Sequence, residues 1–291
     1  MTGRVGPAPP CATVGVAGLG LIGGSIALRI RATWPDIRVV GLDRRRVIQD
    51  AVRAGVIHDY GSAIGDLADC DVIFLAVPVP SILELIEEAA REHLSCVITD
   101  VGSTKRLITT AAERAGLDRF VGGHPMAGGE HAGLTHARAD LFDDRPWLLV
   151  DRADRPEARD LVETLVRGLG ARPRGIDATA HDRFMAYVSH VPQLVASALM
   201  TSAGQRCGIP GLSASGPAFS EMTRVASSSF DAWRGTLATN ADFVAEALEA
   251  LIARLPSAPA LREGGDLASL FAEAQRWRAE FLAAQARGHV S

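Results

Sequence analysis

The sequence is poor in lysine and cysteine and has no long apolar run. Its four cysteines, Cys11, Cys70, Cys96 and Cys207, show no CxxC spacing, so we expect neither a disulfide framework nor a metal site, and a reducing cytoplasm is the expected location. No apolar run reaches the ~18 residues of a membrane span. A formal net charge of -4 gives no reason to expect nucleic acid or an anionic membrane as partner.

Lysine is the scarcest charged residue, because Lys105 is the only lysine among 30 basic residues and the others are arginine. A genome of biased composition would encode arginine at every position where either lysine or arginine is acceptable. A surviving lysine then indicates a position where a compact ammonium differs from a planar guanidinium, or it survives by chance. The sequence leaves both interpretations open.

What is present is a nucleotide-binding pattern near the start of the chain. Thr13–Ala17 predicts a strand that runs into the GxGxxG motif of residues 18–23 and then into an apolar helix. A second predicted strand, Arg38–Leu42, ends at Asp43, 20 residues after the last motif glycine. This order is typical of a Rossmann fold, in which the helix N-terminus faces the pyrophosphate and the carboxylate meets the ribose hydroxyls. The carboxylate of Asp43 would repel the 2′-phosphate of NADP, so NAD is expected over NADP. The cationic side chains of Arg44–Arg46 would oppose this repulsion and weaken the preference.

Further strands are predicted in the first half, at residues 71–78, 96–100, 120–121 and 147–150. They indicate an α/β domain with a mostly parallel sheet. Ligands bind at the carboxyl ends of such strands, so the segments around Pro78, Ser103 and His124 are expected to lie on one edge. Ser103 is expected to cap a helix that starts near Thr104, to contact the substrate, or to do both.

Helical periodicity replaces the strand signals after Asp177. One stripe is predicted to be buried: Phe184, Tyr187, Val188, Val191, Leu194, Val195, Ala198 and Leu199. His190 and Gln193 fall on a different stripe, outside this main core face. Pro192 should kink the helix or free a carbonyl near Val188. Leu267–Ala284 predicts an amphipathic helix that would suit packing between subunits.

These patterns divide the chain into three parts. We expect a disordered tail over residues 1–12, an NAD-binding Rossmann domain over 13–177, and an all-α substrate and dimerisation domain over 178–291.

His124 lies in the segment GGHPMAGGE, just after the predicted strand Phe120–Val121. A histidine near its ordinary pKa of ~6.5 accepts a proton at neutral pH, and oxidation of an alcohol beside a nicotinamide requires such an acceptor. A histidine taken alone is more often structural.

Seven segments in their order resemble the prephenate/arogenate dehydrogenases of tyrosine biosynthesis, and the resemblance spans roughly residues 13 to 245. They are GLGLIGGS (18–25), AVPV (76–79), DVGSTK (100–105), GGHPMAGGE (122–130), HD (181–182), SHVPQ (189–193) and TRVASSSFDAW (223–233). The resemblance implies NAD-dependent oxidative decarboxylation of prephenate to 4-hydroxyphenylpyruvate, of arogenate to tyrosine, or of both, by a homodimer.

The resemblance also implies roles for individual residues. His124 would be the catalytic base and Ser103 would orient it, while Arg224 would bind a substrate carboxylate as a fork. Further substrate-site residues would be His190, Gln193, Glu130 and Asp182, the last two at the entrance. The cofactor would be bound by Gly18, Gly20, Leu21, Ile22, Gly23, Asp43, Val77 and Pro78.

Gln193 departs from the family pattern, since many relatives have histidine at this position. Glutamine cannot carry charge, which mildly favours tolerance of the amino side chain of arogenate.

Two other functions compete with this one. A β-hydroxyacid dehydrogenase of a related class needs a catalytic lysine in the helical half, and Lys105 lies before it. A nicotinamide-binding regulatory protein without turnover would be expected to have damaged catalytic positions. Ser103, His124, His190 and Arg224 are all present, which counts against it.

Overall fold

The structure is a computed structural model that describes residues 8–129, 131–151, 156–262 and 267–288. Its described residues group into two compact units, which divide after Val244. Residues 1–7 of the predicted tail lie outside the described part. The helices between 178 and 244 belong to the same unit as the sheets, and the domain boundary at residue 177 stays a prediction.

A six-stranded parallel sheet forms the centre of the first unit, with strand order β3-β2-β1-β4-β5-β6. The strands are β1 Thr13–Ala17, β2 Arg38–Leu42, β3 Asp59–Gly61, β4 Val72–Leu75, β5 Val97–Asp100 and β6 Phe120–Val121. The central β4, with the sequence VIFL, is buried throughout, as expected for a parallel strand covered on both faces. The predicted Rossmann fold is confirmed.

Side-chain alternation along the strands produces two apolar cores, one on each face of the sheet. Val72 and Phe74 of β4 belong to one core, while Ile73 and Leu75 belong to the other. The helices that supply these cores are α1 Leu21–Thr33, α2 Arg45–Arg53, α3 Val79–Arg91, α4 Arg106–Arg114 and α5 Pro156–Gly168. The strand ends, where the loops turn toward these helices, are therefore held by packing on both sides.

A second, three-stranded sheet carries His124. Its strands are β7 Gly123–Pro125, β8 Pro146–Val150 and β9 Arg172–Ile176, with β7 antiparallel to β8 and β8 parallel to β9. The sequence did not predict β3, β7 or β9. They are three to five residues long, and β9 (RPRGI) has no fully buried residue, so they lack an apolar pattern.

Only helices and turns follow among the described residues beyond 177, as predicted for the second half. The helices are α6 Ala178–Met185, α7 Val191–Ser213, α8 Pro217–Thr223, α9 Phe230–Thr239, α10 Ala241–Arg254, α11 Ala258–Arg262 and α12 Leu267–Gly288. The predicted amphipathic helix corresponds to α12. None of the described helices combines the length and apolar character needed to cross a membrane.

The junction between α6 and α7 is a π-helical turn over Ala186–His190. Pro192 lies in the first turn of α7, directly after this π-helical turn, and has no N–H to donate to a carbonyl of it. The predicted irregularity near Val188 is thus a widened turn. Such turns are rare and often occur at functional sites.

The predicted buried stripe is only partly correct: Val191 is buried, but the residues before it on the stripe are not. Phe184, Tyr187 and Val188 are each nearly half exposed, whereas His190 is fully buried and Gln193 is buried. The polar face is covered because its side chains find hydrogen-bond partners inside the unit. Phe184, Tyr187 and Val188 are left on the surface of the single chain.

Candidate active site

A cavity of about 850 Å³ opens at the carboxyl ends of β1, β2 and β4. Its lining includes five residues predicted to bind the cofactor: Gly18, Gly20, Asp43, Val77 and Pro78. The other three, Leu21, Ile22 and Gly23, form the first turn of α1. The strand-loop-helix order therefore places the glycine motif on the wall of one cavity.

The glycine loop fits a dinucleotide. Gly18 has φ +94°, and a Cβ added there would lie 2.4 Å from the carbonyl oxygen of Ala76, so no other residue is accommodated. A Cβ on Gly20 would meet no protein atom within 4 Å. No side chain caps the N-terminus of α1, which leaves its backbone N–H groups for an anion. A pyrophosphate matches this open, electropositive helix end.

Asp43 lies beside this loop at the end of β2. Its carboxylate accepts hydrogen bonds from the backbone N–H groups of Leu19 and Arg44, each at 2.6 Å. These bonds hold the carboxylate at the cavity wall, while the neighbouring Arg44 side chain is 89% exposed. This is the position from which a carboxylate meets ribose hydroxyls in Rossmann folds.

His124 is the middle residue of β7 and pairs in register with Leu148 of β8. The sequence predicted it just after the strand Phe120–Val121, whereas the structure places it in a strand of its own, in a buried position with 8% exposure. Its Nδ1 lies 2.9 Å from Nε2 of His181. Burial, with the neighbouring His181, Lys105 and His190, holds the pKa of His124 well below its ordinary value. The ring is therefore neutral at pH 7 and able to accept a proton.

Asp182 is fully buried and does not edge an entrance, which corrects the expectation from the resemblance. Its carboxylate accepts from Nδ1 of His181 at 2.8 Å and from the backbone N–H groups of Lys105 and Arg106 at 2.6 and 3.0 Å. Although burial raises the pKa of Asp182, these donors outweigh it and hold the pKa below its usual range. Asp182 thus joins His181 to the N-terminus of α4.

Ser103 lies in the turn between β5 and α4 and is partly buried. The prediction that it caps a helix was wrong, since α4 begins at Arg106 and its first N–H groups are bound by Asp182. Among the described residues the Ser103 hydroxyl makes no hydrogen bond to His124, whose Nδ1 is occupied by His181. Its proposed role as an orienting group is taken up below.

Lys105 is fully buried, which favours the interpretation that this position requires a compact ammonium. Its Nζ is bonded to the buried carboxylate of Asp100 and donates to the carbonyl oxygen of Gly123 at 2.6 Å. Asp100 in turn accepts from the N–H of Gly123 at 3.0 Å. The pair therefore binds both backbone polar groups of the residue before His124. Burial lowers the pKa of Lys105, and Asp100 opposes this effect.

His190 is fully buried next to Asn240 and Trp233. Asn240 donates from Nδ2 to Nδ1 of His190 at 3.1 Å and also to the carbonyl oxygen of Asp182 at 2.8 Å. The other ring nitrogen, Nε2, has no partner among the described residues. Burial lowers the pKa of His190 to about 4. At neutral pH the ring carries one N–H, at Nε2, and this hydrogen has no acceptor among the described residues.

Gln193 and Arg224 are linked through the turn that follows α8. Nε2 of Gln193 donates to the carbonyl oxygen of Val225 at 2.9 Å, within the 3₁₀ turn Arg224–Ser227. Arg224 itself is exposed. Glu130 lies outside the described residues.

Three residues of this arrangement were missed by reasoning from the sequence: His181, Asn240 and Asp100. His181 and Asp100 lie within the HD and DVGSTK segments, so attention to every polar member of those motifs would have found them. Asn240 follows α9 outside any quoted motif and carries no local signal.

Two protein-family models match consecutive parts of the chain. The family model for the nucleotide-binding domain of prephenate dehydrogenase matches residues 26–174, and the model for the prephenate dehydrogenase dimerization domain matches residues 177–273.

Individual relatives match over most of the chain. The prephenate dehydrogenase of Lactococcus lactis is 35% identical over 80% of this chain and 66% of its own length. The cyclohexadienyl dehydrogenase of Zymomonas mobilis is 30% identical over 91% of this chain and 94% of its own. The crystal structure of Aquifex aeolicus prephenate dehydrogenase with hydroxyphenyl propionate and NAD+ superposes with a TM-score of 0.84 at 26% identity, covering 93% of this chain and 98% of that one. The chain therefore belongs to the prephenate dehydrogenase family and is an NAD-dependent oxidoreductase.

Proposed function

We propose that the protein catalyses the oxidative decarboxylation of prephenate, arogenate or both, with His124 as the base. The observation that carries the proposal is His124 itself. It is held in a buried strand of a family-typical segment, is neutral at pH 7, and belongs to a protein with a cavity that fits a dinucleotide.

The reaction removes one proton and one hydride from the ring alcohol. The glycine loop and Asp43 would hold NAD, which would supply the acceptor for the hydride of the carbinol carbon. His124 accepts the hydroxyl proton at Nε2 as a general base. The resulting ring ketone then breaks the bond to its carboxylate. Carbon dioxide leaves, and the electron pair of the broken bond passes through the ring to the ketone oxygen. This oxygen takes back the proton held by His124, and the ring becomes an aromatic phenol.

Substrate recognition is assigned to two cationic or donor groups, with Ser103 as a third contact. Nε2–H of His190 is a buried donor without a protein acceptor among the described residues, so a substrate oxygen would satisfy it. Arg224 would bind a carboxylate as a fork. We assign Ser103 to the substrate hydroxyl, because Nδ1 of His124 already has a partner in His181.

The choice between the two substrates is proposed to be open in this protein. The Gln193 amide is bonded to Val225, so its effect on the substrate is indirect. This weakens the expectation that Gln193 selects arogenate. The name of the Zymomonas relative, cyclohexadienyl dehydrogenase, is consistent with acceptance of either cyclohexadienol.

We further propose that NAD is used in preference to NADP and that the protein is a cytoplasmic homodimer. The Asp43 carboxylate at the cavity wall supports the first. A match to a dimerization domain and the exposed apolar face of Phe184, Tyr187 and Val188 support the second. Sedimentation equilibrium should give a dimer at micromolar concentration, and a stable monomer would contradict it.

The decisive experiment is an assay of nicotinamide reduction with prephenate and arogenate, each with NAD and NADP. Turnover of at least one substrate with NAD is expected, and no turnover on either would overturn the proposal. His124→Asn should lower kcat roughly 10²- to 10⁴-fold with little change in KM, because it removes an interaction made in the transition state. His93→Asn, at an exposed histidine, is the matched control and should retain kcat.

A further inference from the structure

We infer that His181 and Asp182 act as positioning residues that fix the tautomer of His124, so that the Nε2 lone pair is always available to the substrate hydroxyl. The inference deepens the proposed function and rests on His124 being its base. It follows from the direction of each hydrogen bond in a buried chain of three side chains, His124, His181 and Asp182.

The direction is set at Asp182, where every contact comes from a donor. Two backbone N–H groups, of Lys105 and Arg106, donate to its oxygens at 2.6 and 3.0 Å. The Arg106 guanidinium adds a longer contact at 3.4 Å. A carboxylate held in this way is ionised and can only accept. The hydrogen between Asp182 and His181 therefore lies on Nδ1 of His181.

The next bond follows from the chemistry of imidazole. A neutral imidazole has one N–H and one lone pair, so a hydrogen on Nδ1 leaves Nε2 of His181 as an acceptor. This Nε2 lies 2.9 Å from Nδ1 of His124, which must then be the donor. The remaining nitrogen of His124, Nε2, is left with its lone pair. It has no hydrogen-bond partner among the described residues and is not sealed from solvent.

Both histidines have to be neutral for this deduction, and their surroundings make them so. Burial is the largest effect lowering the pKa of His181, although its bond to Asp182 opposes it. The charged or titratable groups that face the two rings are Lys105, Asp100, Asp182 and His190. The Lys105 ammonium disfavours a second positive charge on either ring.

The tautomer matters because an unconstrained neutral imidazole in water prefers the hydrogen on Nε2. In that form the nitrogen that meets the substrate would be a donor, and no base would be present. The chain from Asp182 enforces the less common form. When His124 takes the substrate proton, Nδ1–H keeps its acceptor in His181, so the imidazolium forms without rearrangement. A carboxylate performs a comparable orienting role in Ser-His-Asp sites, where its loss leaves the wrong tautomer.

The inference is tested by ¹⁵N NMR of the full-length protein labelled at histidine, without substrate. Nδ1 of His124 should have the shift of a protonated nitrogen and Nε2 that of an unprotonated one at pH 7.5. The opposite pattern would overturn the inference, whatever the outcome of the activity assay. His124→Asn assigns the signals by their loss.

Variants of His181 separate positioning from mere packing. His181→Leu removes the acceptor and should switch His124 to the Nε2–H form, with kcat lowered on the order of 10²-fold or more and KM little changed. His181→Gln offers an amide oxygen to Nδ1–H and should restore the wild-type tautomer and at least tenfold of the lost kcat. Arg106→Gln removes a charged neighbour of Asp182 but keeps the backbone N–H of residue 106 as a donor to it. In this control variant His124 should keep its wild-type tautomer.

An unchanged tautomer in His181→Leu, or failure of His181→Gln to restore it, would overturn the inference. Should His181→Leu not fold, the wild-type and His181→Gln spectra still decide between the two tautomers. If neither prephenate nor arogenate is turned over, the proposed function fails while the spectra still report the hydrogen-bond direction. The two failures are therefore distinguishable.

Discussion

Gln193 of α7 donates its side-chain N–H to the carbonyl oxygen of Val225 at 2.9 Å, and this bond joins α7 to the turn that carries Arg224. Gln193 is buried, so the bond is protected from competing water. A residue that resemblance assigned to the substrate wall thus has a second task, which is to hold the backbone of the proposed carboxylate-binding turn.

Removal of this bond should weaken substrate binding more than chemistry. Gln193→Ala loses a buried hydrogen bond with a net value of about 0.5–1.5 kcal/mol, so KM should rise roughly three- to tenfold with a smaller change in kcat. Gln193→His keeps a ring N–H for Val225 and should recover most of the KM. Ser197→Ala removes only the longer 3.3 Å contact of Gln193 and serves as the control. Steady-state kinetics on the preferred substrate would measure this, and an unchanged KM in Gln193→Ala would count against it.

Replacement of Lys105 should lower the free energy of unfolding. Lys105→Met leaves the buried carboxylate of Asp100 without its cation, which typically costs about 3–5 kcal/mol of unfolding free energy. The double variant Lys105→Met/Asp100→Asn removes the uncompensated charge and should recover part of that loss. Urea unfolding at pH 7.5 is the measurement.

The buried position of Lys105 should not accommodate an arginine side chain. The Lys105 Nζ bonds to Asp100 and Gly123 at full burial, and a guanidinium is larger and planar. Lys105→Arg is therefore expected to be destabilised as well. A Lys105→Arg protein as stable as the wild type would show that the site does not distinguish the two cations.

Acid should destabilise the fold through its buried histidines. The pKa of His190 is about 4 in the folded protein and ~6.5 when unfolded, so the folded state binds fewer protons between these values. This contribution is fully present above pH 6.5 and is lost as the pH falls toward 4, by an amount on the order of 3 kcal/mol. His124 and His181 act in the same direction.

His190→Gln isolates this contribution. The variant cannot titrate, while its amide oxygen can still accept from Asn240, so the fall in unfolding free energy from pH 7 to pH 4.5 should be smaller than in the wild type. His93→Gln, at an exposed position, should keep the wild-type slope. Equal slopes for His190→Gln and the wild type would contradict the prediction.

Cofactor preference should respond to Asp43. Asp43→Asn removes the charge that opposes a 2′-phosphate and leaves the exposed Arg44 beside it. The ratio of kcat/KM for NADP to that for NAD should rise about tenfold or more, equivalent to roughly 1.4 kcal/mol. Asp50→Asn makes the same change of charge on α2, away from the residues that line the nucleotide cavity, and should leave the ratio unchanged. A ratio that moves equally in both variants would show a general charge effect.

Local patterns predicted the parts of the fold that depend on neighbours in sequence. The glycine motif, its flanking strand and helix, and Asp43 all follow from one short stretch of chain, and each lies where expected. The contacts that His181 and Asn240 make could not be predicted in this way. Their partners are 57 and 50 residues distant in the chain, and only folding brings them together.

The partly wrong assignment of the buried face in α6 and α7 has a related cause. Apolar character predicts burial only if the chain covers its own hydrophobic face. In this region polar side chains share the buried face with Met185, Val191 and Ala196, because His181, His190 and Gln193 all find hydrogen-bond partners inside the first unit. A hydrogen-bond network that spans several elements is invisible to a count of apolar residues.

The burial of Lys105 gives the protein a built-in reporter of its own opening. Its ε-amine is the only one in the sequence and is fully covered in the folded state. Amine-directed reagents can reach this side chain only when the buried contacts of its Nζ with Asp100 and Gly123 open. The rate at which a single lysine is modified would therefore time the exposure of the backbone that supports His124, with no probe introduced.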